Sequence, residues 1–228
     1  MQRPAATTGS RPRDAQATRE LLLAAATEEF SEFGLAGARI DRIAERAGCN
    51  KRLIYVYFGD KERLFDTVLE RRIETLDREV PLTPDDLAAF AAARFDYVVA
   101  HPQTARLAAW RAFERAEPTE AEVHSFAIKV AAIEGAQKNG KLNADITAID
   151  LFAMVLRLTE SWPSAPPALR SLAGRDPDAK QRIRQHRAAL IDAVSSFTTP
   201  GKVGHGAKQG AEELALATPF PEGGRRCR

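Results

Sequence analysis

Cysteine and histidine are scarce in this sequence of 228 residues, which holds two cysteines and four histidines. Cys49 and Cys227 are too few and too far apart for a disulfide framework. The histidines are scattered and have no cysteine or carboxylate at the spacing of a metal site. We therefore expect neither a bound metal nor a cofactor.

Long apolar runs are also absent. No segment reaches the run of about 18 apolar residues that a membrane-spanning helix needs, so we expect no membrane partner. Residues 1–19 are polar and contain arginine, without the apolar segment of a secretory signal. These features favour a cytoplasmic protein.

The familiar motifs of enzymes are missing as well. The chain has no glycine-rich phosphate loop, no G-x-S-x-G and no H-E-x-x-H. We therefore expect no catalytic residues and no enzymatic activity.

Net charge is low, with 33 basic against 31 acidic side chains and a formal charge of +2. Bulk charge thus gives no argument for nucleic-acid binding, and any electrostatic argument must be local. Residues 39–63 provide such a local excess, since seven basic side chains meet four acidic ones, a net of +3.

Helix is the structure that the middle of the chain favours, because glycine is scarce there, alanine is abundant and β-branched runs are missing. The sequence predicts an all-α protein. The predicted helices cover residues 14–33, 39–47, 51–58, 61–80, 85–100, 104–116, 119–139, 145–162 and 177–197. Residues 1–13 and 199–228 lack periodicity, and we expect a disordered arm and a disordered tail.

Three small or apolar residues between positions 39 and 61 have the spacing of a helix-turn-helix. Ala44 is small where two helices would cross closely, and Gly48 stands where a sharp turn needs positive φ. Ile54 would fill the space between the two helices. An isolated hairpin of this kind can also be a solvated helical pair, so the pattern alone does not prove DNA binding.

The side chains on and around the second helix of this pair suit DNA. Its amino-terminal end would enter a major groove, and the cations there suit phosphates or guanine edges. Its two phenols suit phosphate oxygens, although partial burial is the alternative for each. The candidate DNA-binding residues are Arg39, Asn50, Lys51, Arg52, Leu53, Tyr55, Tyr57 and Lys61.

The segments RELLLAAATEEFSEFG and ARIDRIAERAGCNKRLIYVYFGDKERLF resemble the DNA-binding domain of the TetR (tetracycline-repressor-like) family of transcriptional regulators. The ending Y-x-Y-F-x-x-K-E-x-L-F is the most specific part. The resemblance implies an α-helical homodimer with a three-helix DNA-binding domain at residues 14–60. It also implies a larger regulatory and dimerisation domain at 61–198, which usually binds a small molecule. Members often carry threonine or serine in place of Leu53, so the operator sequence is not implied.

Aromatic and polar residues of the larger domain are candidates for an effector site, although most such residues simply form a core. The candidates are Phe95, Trp110, Phe113, His124, Phe126 and Met154. The final two long helices form the dimer interface in the family, and apolar stripes on them supply candidates for it. These are Leu151, Val155, Leu158, Trp162, Leu190, Val194 and Phe197.

The sequence therefore predicts a DNA-binding regulator with three partners: double-stranded DNA, a second copy of the chain and an unidentified small molecule. We expect a repressor that a ligand releases from a palindromic operator. The alternative is a helical protein–protein adaptor that has the hairpin but no role on DNA.

Overall fold

A computed structural model describes residues 11–115 and 117–201. Ten helices account for the regular structure of this part of the chain. They are α1 (Arg11–Gly37), α2 (Ile40–Arg46), α3 (Arg52–Phe58), α4 (Lys61–Glu79), α5 (Leu87–Ala100), α6 (Pro102–Glu114), α7 (Glu120–Lys138), α8 (Ala148–Glu160), α9 (Pro167–Ser171) and α10 (Lys180–Thr198). The all-α prediction is confirmed.

Helix ends follow the local chemistry of the sequence. The Asp60 carboxylate accepts a hydrogen bond from the backbone N–H of Arg63 at 2.8 Å and so caps α4. The short helix α9 is not among the helices predicted from the sequence, because prolines surround it. Pro167 instead occupies the first helical position, where a missing N–H costs nothing.

The predicted disordered ends fall largely outside the described residues. Residues 1–10 and 202–228 are not described. Residues 11–13, which the sequence placed in the arm, belong to α1. None of the helices in the described segments is both long enough and apolar enough to cross a membrane.

A first hydrophobic core joins α1, α2 and α3 to the amino-terminal half of α4. Leu22, Phe30, Ile43 and Ile54 are all fully buried in it. The α4 residues Leu64, Phe65, Val68 and Leu69 complete this core, together with Leu107 of α6. The helix-turn-helix thus folds against the first part of α4 rather than ending before it.

A second core lies among α5, α7, α8 and α10. Leu151, Val155, Trp162, Leu190 and Val194 are all at most 6% exposed there. The sequence placed these five residues at a dimer interface, but the chain's own core already covers them. An apolar stripe marks the side of a helix that packs first, and here that side faces the same chain, so their place at a dimer interface stays a prediction. Leu158 and Phe197 pack against the edge of this core.

The two cores are joined where α6 crosses α1. The Trp110 indole donates a hydrogen bond to the backbone oxygen of Ser31 at 3.3 Å. Gly34 has a φ of 67°, and a Cβ atom there would lie 2.8 Å from the Trp110 ring. Gly34, where α1 breaks, is therefore also a point where α6 packs tightly against α1.

Candidate DNA-binding surface and effector cavity

The turn between α2 and α3 has the geometry that the spacing predicted. Ala44 is buried between the helices, and its backbone oxygen accepts a hydrogen bond from the Cys49 N–H at 2.9 Å. Gly48 has a φ of 65°, in the left-handed region that favours glycine. Ile54 is fully buried in the first core. These three residues set the orientation of α3 relative to α2.

The start of α3 is held by the side chain of Asn50, which accepts a hydrogen bond from the backbone N–H of Arg52 at 2.9 Å. Arg52 itself is exposed. Lys51 is also exposed, and its ammonium contacts the Asp41 carboxylate at 2.8 Å. That hydrogen bond, followed by the attraction of the same charge, raises the pKa of Lys51. Lys51 is therefore an exposed cation that is already paired with an acidic neighbour of α2.

The remaining α3 side chains divide between surface and core. Tyr55 is 52% exposed, whereas Tyr57 and Leu53 are half-buried and pack against the first core. The Leu53 side chain therefore exposes less surface for contact with a DNA base than we expected from the sequence. Val56 is 68% exposed and lies four residues after Arg52, on the same face of the helix. Val56 is not among the DNA-binding residues predicted from the sequence, although its spacing from Arg52 was a usable signal.

Arg39 and Lys61 flank the recognition helix from neighbouring elements. Arg39 is exposed and immediately precedes α2. Lys61 is the first residue of α4, as predicted, and its ammonium donates to the backbone oxygen of Ala38 at 3.3 Å. Both cations therefore lie beside helix starts, where free N–H groups also favour phosphate oxygens.

A buried carboxylate that sequence reasoning overlooked supports this surface. Glu29 of α1 is fully buried and accepts hydrogen bonds from the Arg39 backbone N–H at 2.9 Å and the Arg42 Nε at 2.7 Å. It ties α1 to the start of α2. The signal was available, because Glu29 interrupts the apolar face of α1 three residues after Ala26.

A cavity of about 380 Å³ lies among α4, α5, α6, α7 and α8. Its apolar lining includes Ile73, Leu76, Phe90, Phe152 and Leu156. Its charged lining consists of Arg72, Asp77, Arg94, Arg111, Glu122, Lys129, Arg157 and Glu160. A concave apolar site with a few polar groups is the usual form of a small-molecule site.

Most of these charges are paired within the wall. Glu160 accepts from Arg94 at 2.6 Å, and Glu122 accepts from Arg111 at 2.9 Å. Although burial raises the pKa of Glu122, hydrogen bonds from Arg111 and from the Thr119 backbone outweigh it, so its pKa is lowered. Glu122 is therefore charged, and both carboxylates are held in place by their arginine partners.

Of the six effector candidates taken from the sequence, Phe126 is the one that lines this cavity. Phe95 is fully buried in the second core, and Trp110 packs on Gly34 instead. Phe113 is 86% exposed, while His124 and Met154 also lie on the surface. Residue type shows that a side chain is large but not which way its helix turns it, so five of the six candidates lie outside this cavity.

Comparison with known proteins agrees with this architecture. A model of the tetR family of bacterial regulatory proteins matches residues 22–68, and a tetracyclin repressor-like C-terminal domain model matches residues 86–195. The chain is 40% identical to the HTH-type transcriptional repressor SCO4008 of Streptomyces coelicolor, over 79% of this chain and 98% of that protein. It is 31% identical to the repressor NicS of Pseudomonas putida, over 76% of this chain and 89% of that protein.

A solved structure shows the same fold. The transcriptional regulator SCO4942 of Streptomyces coelicolor superposes with a TM-score of 0.70 and 34% sequence identity, covering 79% of this chain and 98% of the other. The resemblance inferred from the helix-turn-helix is thus confirmed along most of the chain. The protein belongs to the TetR family of DNA-binding helix-turn-helix transcriptional regulators.

Proposed function

We propose that this regulator is a repressor that binds a palindromic operator as a homodimer and is released when a small molecule fills the cavity. Curated relatives named as repressors support the direction of control. A two-fold dimer presents two copies of α3, so the operator should contain two matching half-sites. Such a protein acts where bacterial DNA lies, in the cytoplasm.

One observation carries the proposal: α4 belongs to both functional regions. Its first half supplies Phe65 and Leu69 to the core beneath the helix-turn-helix. Its second half supplies Arg72 and Leu76 to the cavity wall. A ligand that displaces the second half of this continuous helix must also tilt or shift the first half.

Helix α6 provides a second connection between the two regions. Ala108 and Arg111 line the cavity, whereas Trp110 and Glu114 contact α1. Arg115, just after α6, forms an ion pair with Asp66 of α4. Filling the cavity therefore acts on the recognition helix through two elements, and changes the spacing of the two α3 helices in a dimer.

For the dimer we assign the exposed sides of α8 and α10 in place of their buried stripes. Gln185, Ala189, Ala193 and Ser196 are all exposed and recur at spacings of four, four and three, which is one face of α10. Small side chains on this face let a partner helix approach closely. Met154, 44% exposed on the neighbouring α8, adds apolar surface.

DNA from upstream of the protein's own gene gives the first test. Fluorescence anisotropy should show specific binding that survives excess non-specific DNA and weakens steeply as salt rises, because phosphate contacts release counterions. Scrambling either half-site should abolish the tight complex. Binding that tolerates a scrambled half-site would contradict the dimeric operator, and no specific binding would favour the adaptor.

A further inference from the structure

Arg72 differs from the other cations of the cavity because it makes no hydrogen bond and no ion pair with any described residue. The wall carries five cations and three carboxylates, an excess of two positive charges. Arg94, Arg111 and Lys129 each contact a carboxylate. Arg157 contacts Glu160 but is 80% exposed, so water screens its charge. Arg72, which is half-buried, is thus left without an ion-pair partner of its own.

Two unpartnered donors mark the same part of the cavity. The Nε atoms of Arg72 and Arg94 are both buried and lack a hydrogen-bond partner, and Arg94 as a whole is 4% exposed. An unpaired buried donor is costly, so an acceptor that reached these groups would relieve that cost. Burial, followed by repulsion from Arg94, lowers the pKa of Arg72 to about 10, which still leaves the guanidinium charged at neutral pH.

Another part of the cavity lining is apolar and aromatic rather than charged. Phe126 and Phe152 meet edge to face with ring centroids 6.0 Å apart. Both rings also line an open apolar groove between α7 and α8, so the aromatic part of the cavity adjoins a surface opening. Since an apolar cavity of about 150 Å³ holds one benzene ring, the volume here suits a body of roughly two rings.

We propose that the effector is a small organic carboxylate whose anionic head pairs with Arg72 and whose apolar body lies against Phe126 and Phe152. This inference rests on the proposed effector site but assigns it a ligand class. A guanidinium binds a planar carboxylate through two parallel hydrogen bonds. A monoanion balances one unpaired cation, whereas a phosphate ester brings about two charges at neutral pH.

Isothermal titration calorimetry of the full chain with four matched naphthalene derivatives tests this class. The derivatives are the carboxylate, the amide, the methylamine and the phosphate, all substituted at the same ring position. We expect the carboxylate to bind at least about tenfold more tightly than each of the other three. Equal affinity for carboxylate and amide, preference for the amine or the phosphate, or no binding of the carboxylate would overturn the proposal.

Two variants locate the interaction. Arg72→Met keeps the length of the side chain and removes its charge, and we expect about a tenfold loss of carboxylate affinity with no change for the amide. Arg71→Met is the matched control, because Arg71 is the exposed neighbour on the same helix and pairs with Glu20. Unchanged carboxylate affinity in Arg72→Met would refute the assigned partner.

The experiment separates this proposal from the function on which it rests. Calorimetry contains no DNA, so it tests the ligand class alone. If the carboxylate binds in calorimetry but does not release the operator in the anisotropy assay, the repressor mechanism is contradicted while the ligand class stands. If Arg72→Met fails to fold, Arg72→Lys keeps the charge but loses the planar fork. Arg72→Lys should weaken carboxylate binding severalfold. Undiminished binding in Arg72→Lys would contradict the two parallel hydrogen bonds between the guanidinium and the carboxylate.

Discussion

The Glu114 carboxylate accepts a hydrogen bond from the backbone N–H of Leu35 at 2.5 Å, although 79 positions separate the two residues. Its other oxygen accepts from the N–H of Ala36 at 3.0 Å. Both N–H groups follow the break in α1 at Gly34. A single side chain of the regulatory domain therefore satisfies two backbone donors of the DNA-binding domain.

Glu114→Gln should loosen this connection. An amide keeps one acceptor oxygen and presents an NH₂ group to the second donor, so we expect the free energy of unfolding to fall by about 1–2 kcal/mol. Urea denaturation measures the change. Glu117→Gln is the control, since Glu117 is exposed nearby and its side chain makes no such bond. Equal loss in both variants would show that Glu114 does not link the domains.

Glu29→Ala should destabilise the chain more strongly. It leaves the Arg39 N–H and the Arg42 guanidinium without their buried acceptor, and we expect a loss of about 2–3 kcal/mol. This is below the value for a fully buried pair because the Arg42 side chain is 34% exposed. Chemical denaturation of Glu29→Ala beside Glu28→Ala, an exposed neighbour, provides the measurement. A similar small loss in both would contradict the role of Glu29.

Stability should also depend on His186. Its ring lies 5.4 Å from that of Phe95 and 5.5 Å from that of Trp162, and its Nε2 is 3.0 Å from the Ser161 hydroxyl. Burial and then the charge of Arg182 lower the pKa of His186. The unfolded chain therefore binds the proton more strongly, and stability is lost as pH falls below about 6.5.

The measurement for His186 is the free energy of unfolding between about pH 7 and about pH 5. His186→Phe should lose less stability over this range than the wild type. His124→Phe, which removes an exposed imidazole from α7, should behave like the wild type. An identical pH dependence in all three proteins would mean that His186 does not contribute.

The dimer face is tested by placing a charge on it. Ala193→Arg should convert a dimer into a folded monomer in light scattering after size exclusion, because a long cation cannot be accommodated where two helices approach closely. Ala121→Arg, on the exposed start of α7, should stay dimeric. Val194→Ala should cost about 1–3 kcal/mol of stability but keep the dimer, since Val194 is fully buried. A dimeric Ala193→Arg protein would exclude this face.

Sequence patterns predicted the helices and the turn well, because Ala44, Gly48 and Ile54 each satisfy a local requirement. The dimer stripe shows what periodicity can and cannot predict. Periodicity identifies the apolar side of a helix. Val155 and Val194 show that this side is buried in the chain's own core. The cavity could not be predicted, since Arg72 and Phe126 are far apart in sequence and line one cavity only after five helices pack.

The central claim is that α3 reads the operator, and operator affinity of Arg52→Ala and Tyr55→Phe tests it most directly. Both side chains are exposed on α3, whereas Arg78 is exposed at the far end of α4 and pairs with Glu79. Fluorescence anisotropy with the upstream DNA should show roughly tenfold weaker binding for Arg52→Ala and a smaller loss for Tyr55→Phe, with the dimer intact. Arg78→Ala should bind like the wild type. Unchanged operator affinity in both α3 variants would contradict the account.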